Sequence, residues 1–484
     1  MTVFRATLIL LAAFVLFAGC EAEVQEQGPP SAEPLERVDF PPYQTRTLEN
    51  GLRVFALEHT EQPVISIQLV VAAGSSSDPE SLPGLATFTS DLLLSGTTSR
   101  TAQDIAETID FVGGTISARA AREAIIVSAS ALADSTGLVV ELLHDVALNP
   151  AFSLEEIERL RQQTASAISA DLQDPDFIAD TVFNMALYGS HPYAHPNDGT
   201  TSSVQRIQRG DIVAFHEAFF APNISTVVVA GALEPSEAFR LVEQYFGTWG
   251  EREVDTPDLS LSSTLRSRRV LVIDNPASVQ TEIRIGQTMV ARKDPDYFAM
   301  LVASDILGGS QGRLMESLRE QRGLTYGAYE AFVPRKGPGS MYATTETRTE
   351  RTSEAIELIL NEIDRLRTER VSEDELEKIK AFLIGSFPLT IETPDDLATR
   401  LANVSVYDLG PEYLATYRDE LAGISSADVL RVAGERISHD SVLIVLFGRA
   451  DSFLDELESL GTVEVIPLSD LDLDSLSLGD SPAQ

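Results

Sequence analysis

The sequence predicts an α+β protein of two homologous domains, each a mainly antiparallel sheet with helices packed on one face. Three observations carry that reading. A chain of 484 residues is too long for a single core. Each half mixes short apolar strand runs with pairs of helical segments. Segments of the first half recur in the same order in the second at a spacing of about 200 residues, which fits a duplicated domain and not a solenoid, whose period is ~20–50 residues.

The chain opens "MTVFRATLILLAAFVLFAGC". Arg5 precedes an apolar run from Ala6 to Phe17 that is too short to span a bilayer and suits a secretory signal peptide. The closing "LFAGC" resembles the lipobox of bacterial lipoproteins, with Phe17 where leucine is usual. That resemblance implies a signal peptide over 1–20, cleavage before Cys20 and a lipid on its thiol. Glu21, in place of an inner-membrane retention aspartate, implies the outer membrane facing the periplasm. Cys20 is the only cysteine, so no intramolecular disulfide can form. Residues 21–42, rich in Glu, Pro and Gln, read as a flexible tether.

The first domain spans 43–250. "TRTLENGLRVFALE" reads as two strands joined at Asn50-Gly51, and "VISIQLVVAAGSSSDP" as a strand ending in a loop. A short helix follows between Gly84 and Thr97, with Leu85, Phe88 and Leu92 as its apolar stripe. Next come a helix over Thr101 to Val112, strands in "GGTISARAAREAIIVSASAL", helices from Ser135 to Asn149 and Ser153 to Asp171, and the buried strand "STVVVAGAL". Residues 251–268 lack periodicity and read as a linker. The second domain, 269–461, repeats the plan. "FSLEEIERLRQQTASAIS" returns as "VSEDELEKIKAFLIGSFP", each with a Ser N-cap and an acidic first turn. Residues 462–484 read as a disordered acidic tail. The formal net charge of -38 repels nucleic acid and excludes it as a partner.

Several pieces, in their order and spacing, carry a resemblance: "AGSSSDP...GLATF...LLLSGT", Gly113-Gly114, "HPY" at His191, "APN" at Ala221, "ILGG" at Ile306, "LREQRGLTY" at Leu318 and "GSFPLTIET" at Gly385. Together they resemble the pitrilysin or insulinase family of zinc peptidases, in the bacterial form similar to mitochondrial processing peptidase. Active members carry an inverted His-x-x-Glu-His box on the opening helix. Here the corresponding positions are Thr87, Ser90 and Asp91, and the third family ligand falls near Ser166-Ala167. A catalytic zinc needs three protein ligands and an open position. The expectation is therefore no metal and no cofactor in this chain. Thr87 and Ser90 are expected to bond back to the helix, with Asp91 an ordinary surface group. His191 and His195, in a proline-broken loop, read as structural.

The resemblance also implies an arginine and, seven residues on, a tyrosine that reach the scissile carbonyl. These are Arg319 and Tyr326. A guanidinium and a phenol suit a developing oxyanion; the plainer alternative is a helix surface charge and the start of a buried strand. Some bacterial relatives pair one subunit bearing the zinc box with another bearing the Arg/Tyr pair, and this chain fits the second type. It implies a non-catalytic subunit of a periplasmic zinc endopeptidase, with zinc in a homologous His-x-x-Glu-His partner. It would form half of a chamber for unfolded peptides and supply Arg319 and Tyr326 in trans. An extended peptide would pair with Thr115, Ile116, Ser117 and Ala118 on a sheet edge. The alternative is a peptide-binding or assembly lipoprotein that keeps the fold without proteolysis.

Overall fold

Two six-stranded sheets organise the chain in the computed structural model, which describes residues 38–261, 265–475 and 477–478. Residues 1–20, read as a signal peptide ending at Cys20, and residues 21–37 of the expected tether lie outside the described residues. From Asp39 onward the chain forms one compact unit. The first sheet holds β1 (Gln44–Thr47), β2 (Arg53–Glu58), β3 (Val64–Val71), β4 (Thr115–Ala120), β5 (Ile125–Leu132) and β6 (Ser225–Gly231), in the order β1-β2-β6-β3-β5-β4. The second holds β7 (Arg269–Asp274), β8 (Gln280–Met289), β9 (Ala328–Val333), β10 (Gly339–Arg348), β11 (Leu443–Gly448) and β12 (Thr462–Pro467), in the order β12-β7-β11-β8-β10-β9. The five strands β2, β6, β3, β5 and β4 correspond in order to β7, β11, β8, β10 and β9, as a duplication requires. Both sheets are mainly antiparallel; β2 runs parallel to β6, and β7 runs parallel to β11 and β12.

The Asn50-Gly51 hairpin forms as expected. Gly51 takes φ 82°, a conformation that favours glycine, and β1 pairs antiparallel with β2 from Gln44↔Ala56 to Thr47↔Arg53.

Helices on one face is the part of the expectation that fails. Each sheet is covered on both faces, and the second layer comes from the other half of the chain. Helix Pro394–Val406 lays Leu397, Leu401 and Val404 on Phe55, Val70 and Val228 behind the first sheet. Helix Pro175–Tyr188 lays Ile178, Val182 and Phe183 on Leu271, Val445 and Phe447 behind the second. Strands β6 and β11 are buried at every residue, the pattern of a strand with no solvent face. Each aliphatic side chain so enclosed contributes about 1.5–3 kcal/mol. Polar pairs fix the register of the exchanged helix: Ser66 donates to Asp395 (2.9 Å), Gln68 to Thr399 (3.1 Å) and Arg53 to Ser405 Oγ (2.9 Å).

Two boundaries also move. Phe40, placed in the tether, is buried and packs edge-on to Tyr43. Thr462–Pro467, placed in the tail, is strand β12. Beyond it Leu468, Leu471 and Leu473 pack on the cluster behind the second sheet, Leu478 is buried, and Asp474 accepts from the Thr200 hydroxyl. The alternation of Leu with Asp and Ser leaves one apolar side despite the acidic composition. Residues 476 and 479–484 lie outside the described residues. The linker segment 251–268 carries no helix or strand among its described residues.

On edge strand β9, Glu330 has one carboxyl oxygen shut away from solvent and without a partner, while the other accepts from the Ser304 hydroxyl. Burial pushes this carboxyl up to about 8, Ser304 opposes that, and Asp305 adds to it. A raised carboxyl favours the neutral folded form, so its stabilisation is complete below the ordinary value of 4.5 and is lost as pH rises through about 8. Glu330→Gln is expected to flatten that fall, leaving the variant the more stable protein near pH 9; urea unfolding at about pH 5, 7 and 9 checks it.

Candidate functional site

The opening helix Leu85–Leu92 is seated from below. Leu85, Phe88 and Leu92 are buried in the core of the first half. Gly84 takes φ 92°, and a Cβ there would meet the Asp198 carbonyl oxygen at 2.7 Å. The two Asp78 carboxyl oxygens accept from the Gly84 and Ala86 N–H groups at 2.8 and 2.7 Å, satisfying the orphan donors of the first turn.

The positions matching the metal box are committed elsewhere. Thr87 Oγ1 donates to the Asn197 carbonyl (2.8 Å) and Ser90 Oγ to the Thr87 carbonyl (2.9 Å). Asp91 is exposed; the protein packed around its carboxyl, together with Asp198, pushes it up to about 6. On helix Leu154–Asp171, Ser166 Oγ donates back to the Gln162 carbonyl (2.8 Å), and Ala167 brings no donor atom at all. Among the described residues no three His, Cys, Asp or Glu side chains gather as a metal ion requires. Hydroxyls bound to backbone carbonyls do not fit zinc. His191 Nδ1 accepts from the Tyr193 N–H (3.1 Å), and its ring packs 4.5 Å from that of Tyr193. The His195 carbonyl accepts from Arg122. Both residues serve the loop.

Arg319 and Tyr326 present the opposite arrangement, a fixed backbone under exposed side chains. Arg319 sits in a π-helical turn, Met315–Glu320, a widening of the helix often found at functional sites. Buried Leu318 and Leu324 anchor the turn, the Leu324 N–H donates to the Leu318 carbonyl (2.9 Å), and Gly323 turns at φ 60°. The following loop is pinned by hydroxyls: Thr347 Oγ1 donates to the Leu324 carbonyl (2.9 Å), and Thr325 and Thr345 Oγ1 to the Gly327 carbonyl (2.8 Å each). Arg319 is exposed, with Nη1 lying 3.8 Å from the Met315 sulfur. Tyr326 is 89% exposed, so it does not open a buried strand; β9 begins two residues later. No hydrogen bond joins the two side chains. Tyr326 borders a cleft of about 500 Å³ rimmed by Asp174, Asp176, Glu282 and Glu346.

Nothing in the sequence pointed to Arg284. It is 1% exposed on β8 and reaches the exchanged helix Pro175–Tyr188, donating to Asp180 (2.6 Å) and Asp176. These partners lie 104 and 108 positions away, beyond any local pattern. Burial works against its charge, but the two aspartates outweigh it and hold the guanidinium above its ordinary value.

Thr115, Ile116, Ser117 and Ala118 lie on β4, at the edge of the first sheet. β4 pairs with β5 alone, from Thr115↔Ser130 to Ala120↔Ile125. Its other row of backbone N–H and C=O groups faces away from the sheet, with Thr115, Ser117 and Arg119 exposed.

Comparison with known proteins agrees with this architecture. The family model described as Insulinase (Peptidase family M16) matches residues 54–197, and that described as Peptidase M16 inactive domain matches residues 206–383. An uncharacterized zinc protease of Mycobacterium leprae is 29% identical over 73% of this chain and 80% of its own. A probable mitochondrial-processing peptidase subunit beta of Schizosaccharomyces pombe is 25% identical over 86% and 93%. A crystal structure titled peptidase M16 inactive domain, from Pseudomonas fluorescens, superposes with a TM-score of 0.79 at 26% identity, covering 84% of this chain and 98% of that one. A protease structure from Helicobacter pylori shares the fold, with a TM-score of 0.78 at 20% identity over 84% and 99%. Two consecutive family matches spanning more than half the chain, on a duplicated sheet that the solved relatives share, establish that this protein belongs to the insulinase family, peptidase family M16.

Proposed function

We propose that the chain is the non-catalytic subunit of a heterodimeric zinc endopeptidase. It forms half of a peptide chamber and lends Arg319 and Tyr326 to a homologous subunit that carries the zinc box. The observation that carries this reading is the pinned backbone, which holds two hydrogen-bond donors exposed, Arg319 with only a weak 3.8 Å contact to the Met315 sulfur. A guanidinium and a phenol so placed donate to the oxyanion that forms on a scissile carbonyl, and a fixed backbone spares them reorganisation during the reaction. The zinc belongs to the partner and would supply the Lewis acid and the activated water there. This chain's own residues bind and orient. The outward row of β4 offers Thr115 to Ala118 as a template for an extended peptide, with backbone pairing that is nearly blind to side chains. A relative named as a subunit of mitochondrial-processing peptidase supports assembly with a second chain. Anchoring through a lipidated Cys20 would place the subunit at the outer membrane, facing the periplasm.

The test is reconstitution with a homologous His-x-x-Glu-His chain. The purified subunit alone is expected to carry sub-stoichiometric zinc by elemental analysis and to leave an unfolded quenched-fluorescent peptide intact; the mixture cleaves it. One zinc per lone chain with unaided cleavage overturns the reading. The free β4 edge equally suits peptide capture without proteolysis, and peptide affinity with no partner-dependent cleavage favours that second reading. Cys20→Ala is expected to move the protein from the membrane to the soluble fraction on cell fractionation, and unchanged membrane association argues against lipidation.

A further inference from the structure

The edge strands of the two halves end in equivalent places, and each is followed by an arginine: Arg122 after β4 and Arg335 after β9. Both guanidinium groups rest on the same loop, His191–His195. Arg122 Nη1 donates to the His195 carbonyl (2.5 Å), and the Arg335 guanidinium lies 5.1 Å from the centre of the Tyr193 ring. The nearby carboxylates are already engaged. Glu123 accepts from the Tyr193 hydroxyl (2.5 Å) and the Lys336 N–H (2.8 Å), and Asp78 caps the opening helix. Neither arginine forms an ion pair within 4.0 Å among the described residues. The Nε atoms of both are buried without a hydrogen-bond partner. Burial, and then the charge of Arg335, draw Arg122 down to about 10, against the opposing influence of Tyr188, Glu123 and Asp78.

This is costly in a chain with 74 acidic and 36 basic residues, where a carboxylate partner would be easy to provide. Buried N–H donors are satisfied in the great majority of cases, and two like charges brought together away from water repel. One occupant relieves both costs: a multiply accepting oxyanion, whose paired oxygens a guanidinium fork binds in bidentate fashion. We infer that the junction between the halves is a binding site for an oxyanion of the carboxylate or phosphate class, held by Arg122 of the first half and Arg335 of the second. The general acidity of the chain repels anions, so binding depends on these two side chains and bridges the two halves.

The experiment uses the full chain in a buffer free of phosphate, sulfate and carboxylates. Sodium phosphate, sodium acetate and sodium chloride are titrated at matched ionic strength, and the thermal unfolding midpoint is read. A saturable rise with phosphate or with acetate, absent with chloride, is expected; which of the two acts at lower concentration identifies the source. Arg335→Gln is expected to raise the half-saturating concentration at least tenfold, with circular dichroism confirming the fold. Arg335→Lys, which keeps the charge and loses the planar fork, is expected to weaken binding as well and serves should the first variant misfold. A rise that chloride reproduces, or one that both Arg335 variants retain, overturns the site.

Discussion

Arg319→Ala, assayed in complex with a zinc-bearing partner, is expected to lower kcat by about 10²–10³, the usual effect of removing one oxyanion donor. Tyr326→Phe, which removes only the hydroxyl, is expected to fall in the same range. Both side chains are exposed and the loop beneath them is held by Thr325, Thr345 and Thr347, so the unfolding free energy of each variant should stay within about 0.5 kcal/mol of the parent. That separation gives the result its meaning. A donor that acts only as charge develops lowers kcat and kcat/KM together, whereas a peptide-binding contact raises KM and spares kcat. Steady-state kinetics on a peptide substrate distinguish the two, and an unchanged kcat in both variants removes the assignment in trans.

Arg284→Met is expected to destabilise the protein by about 3–5 kcal/mol, read as a lower urea midpoint. The guanidinium is 1% exposed and joins β8 of the second sheet to Asp176 and Asp180 of a helix from the first half. Its removal leaves Glu282, with a side chain 10% exposed, short of its nearest positive charge. The two aspartates keep partial contact with water, at 64% and 42% exposure, and are less affected. Asp180→Asn, which keeps one acceptor for Arg284, is expected to cost less than the arginine change. Equal losses would mean that the charge pair with Asp180, and not the packing of the long side chain, carries the effect.

The sequence was most informative where the signal is local. The Asn50-Gly51 turn and the stripe of Leu85, Phe88 and Leu92 are properties of neighbouring residues, the repeat is a succession of such local patterns, and all appear in the fold. The same holds for Ser90, whose hydroxyl bonds back to the Thr87 carbonyl of its own helix, but not for Thr87, which is expected to do likewise and instead donates to the carbonyl of Asn197, 110 positions away. What the sequence left unread lies between distant positions. A run such as "STVVVAG" announces a strand buried on both faces, but nothing in it says that Leu401 supplies the second cover. Arg284 looks like any strand arginine until its partners more than 100 positions earlier are in place. The C-terminal segment misled through composition, because Asp and Ser dominate the count while alternate leucines do the packing.

The exchange of helices between the halves also dictates an order of events during synthesis. The first sheet is complete once Ser225–Gly231 has emerged, but its rear cover, Pro394–Val406, is translated long afterwards. A nascent first half therefore carries an open hydrophobic wall throughout that interval, when self-association competes with folding. Expression of residues 43–250 by themselves should give an aggregating product, and supplying 269–478 as a separate polypeptide should rescue it.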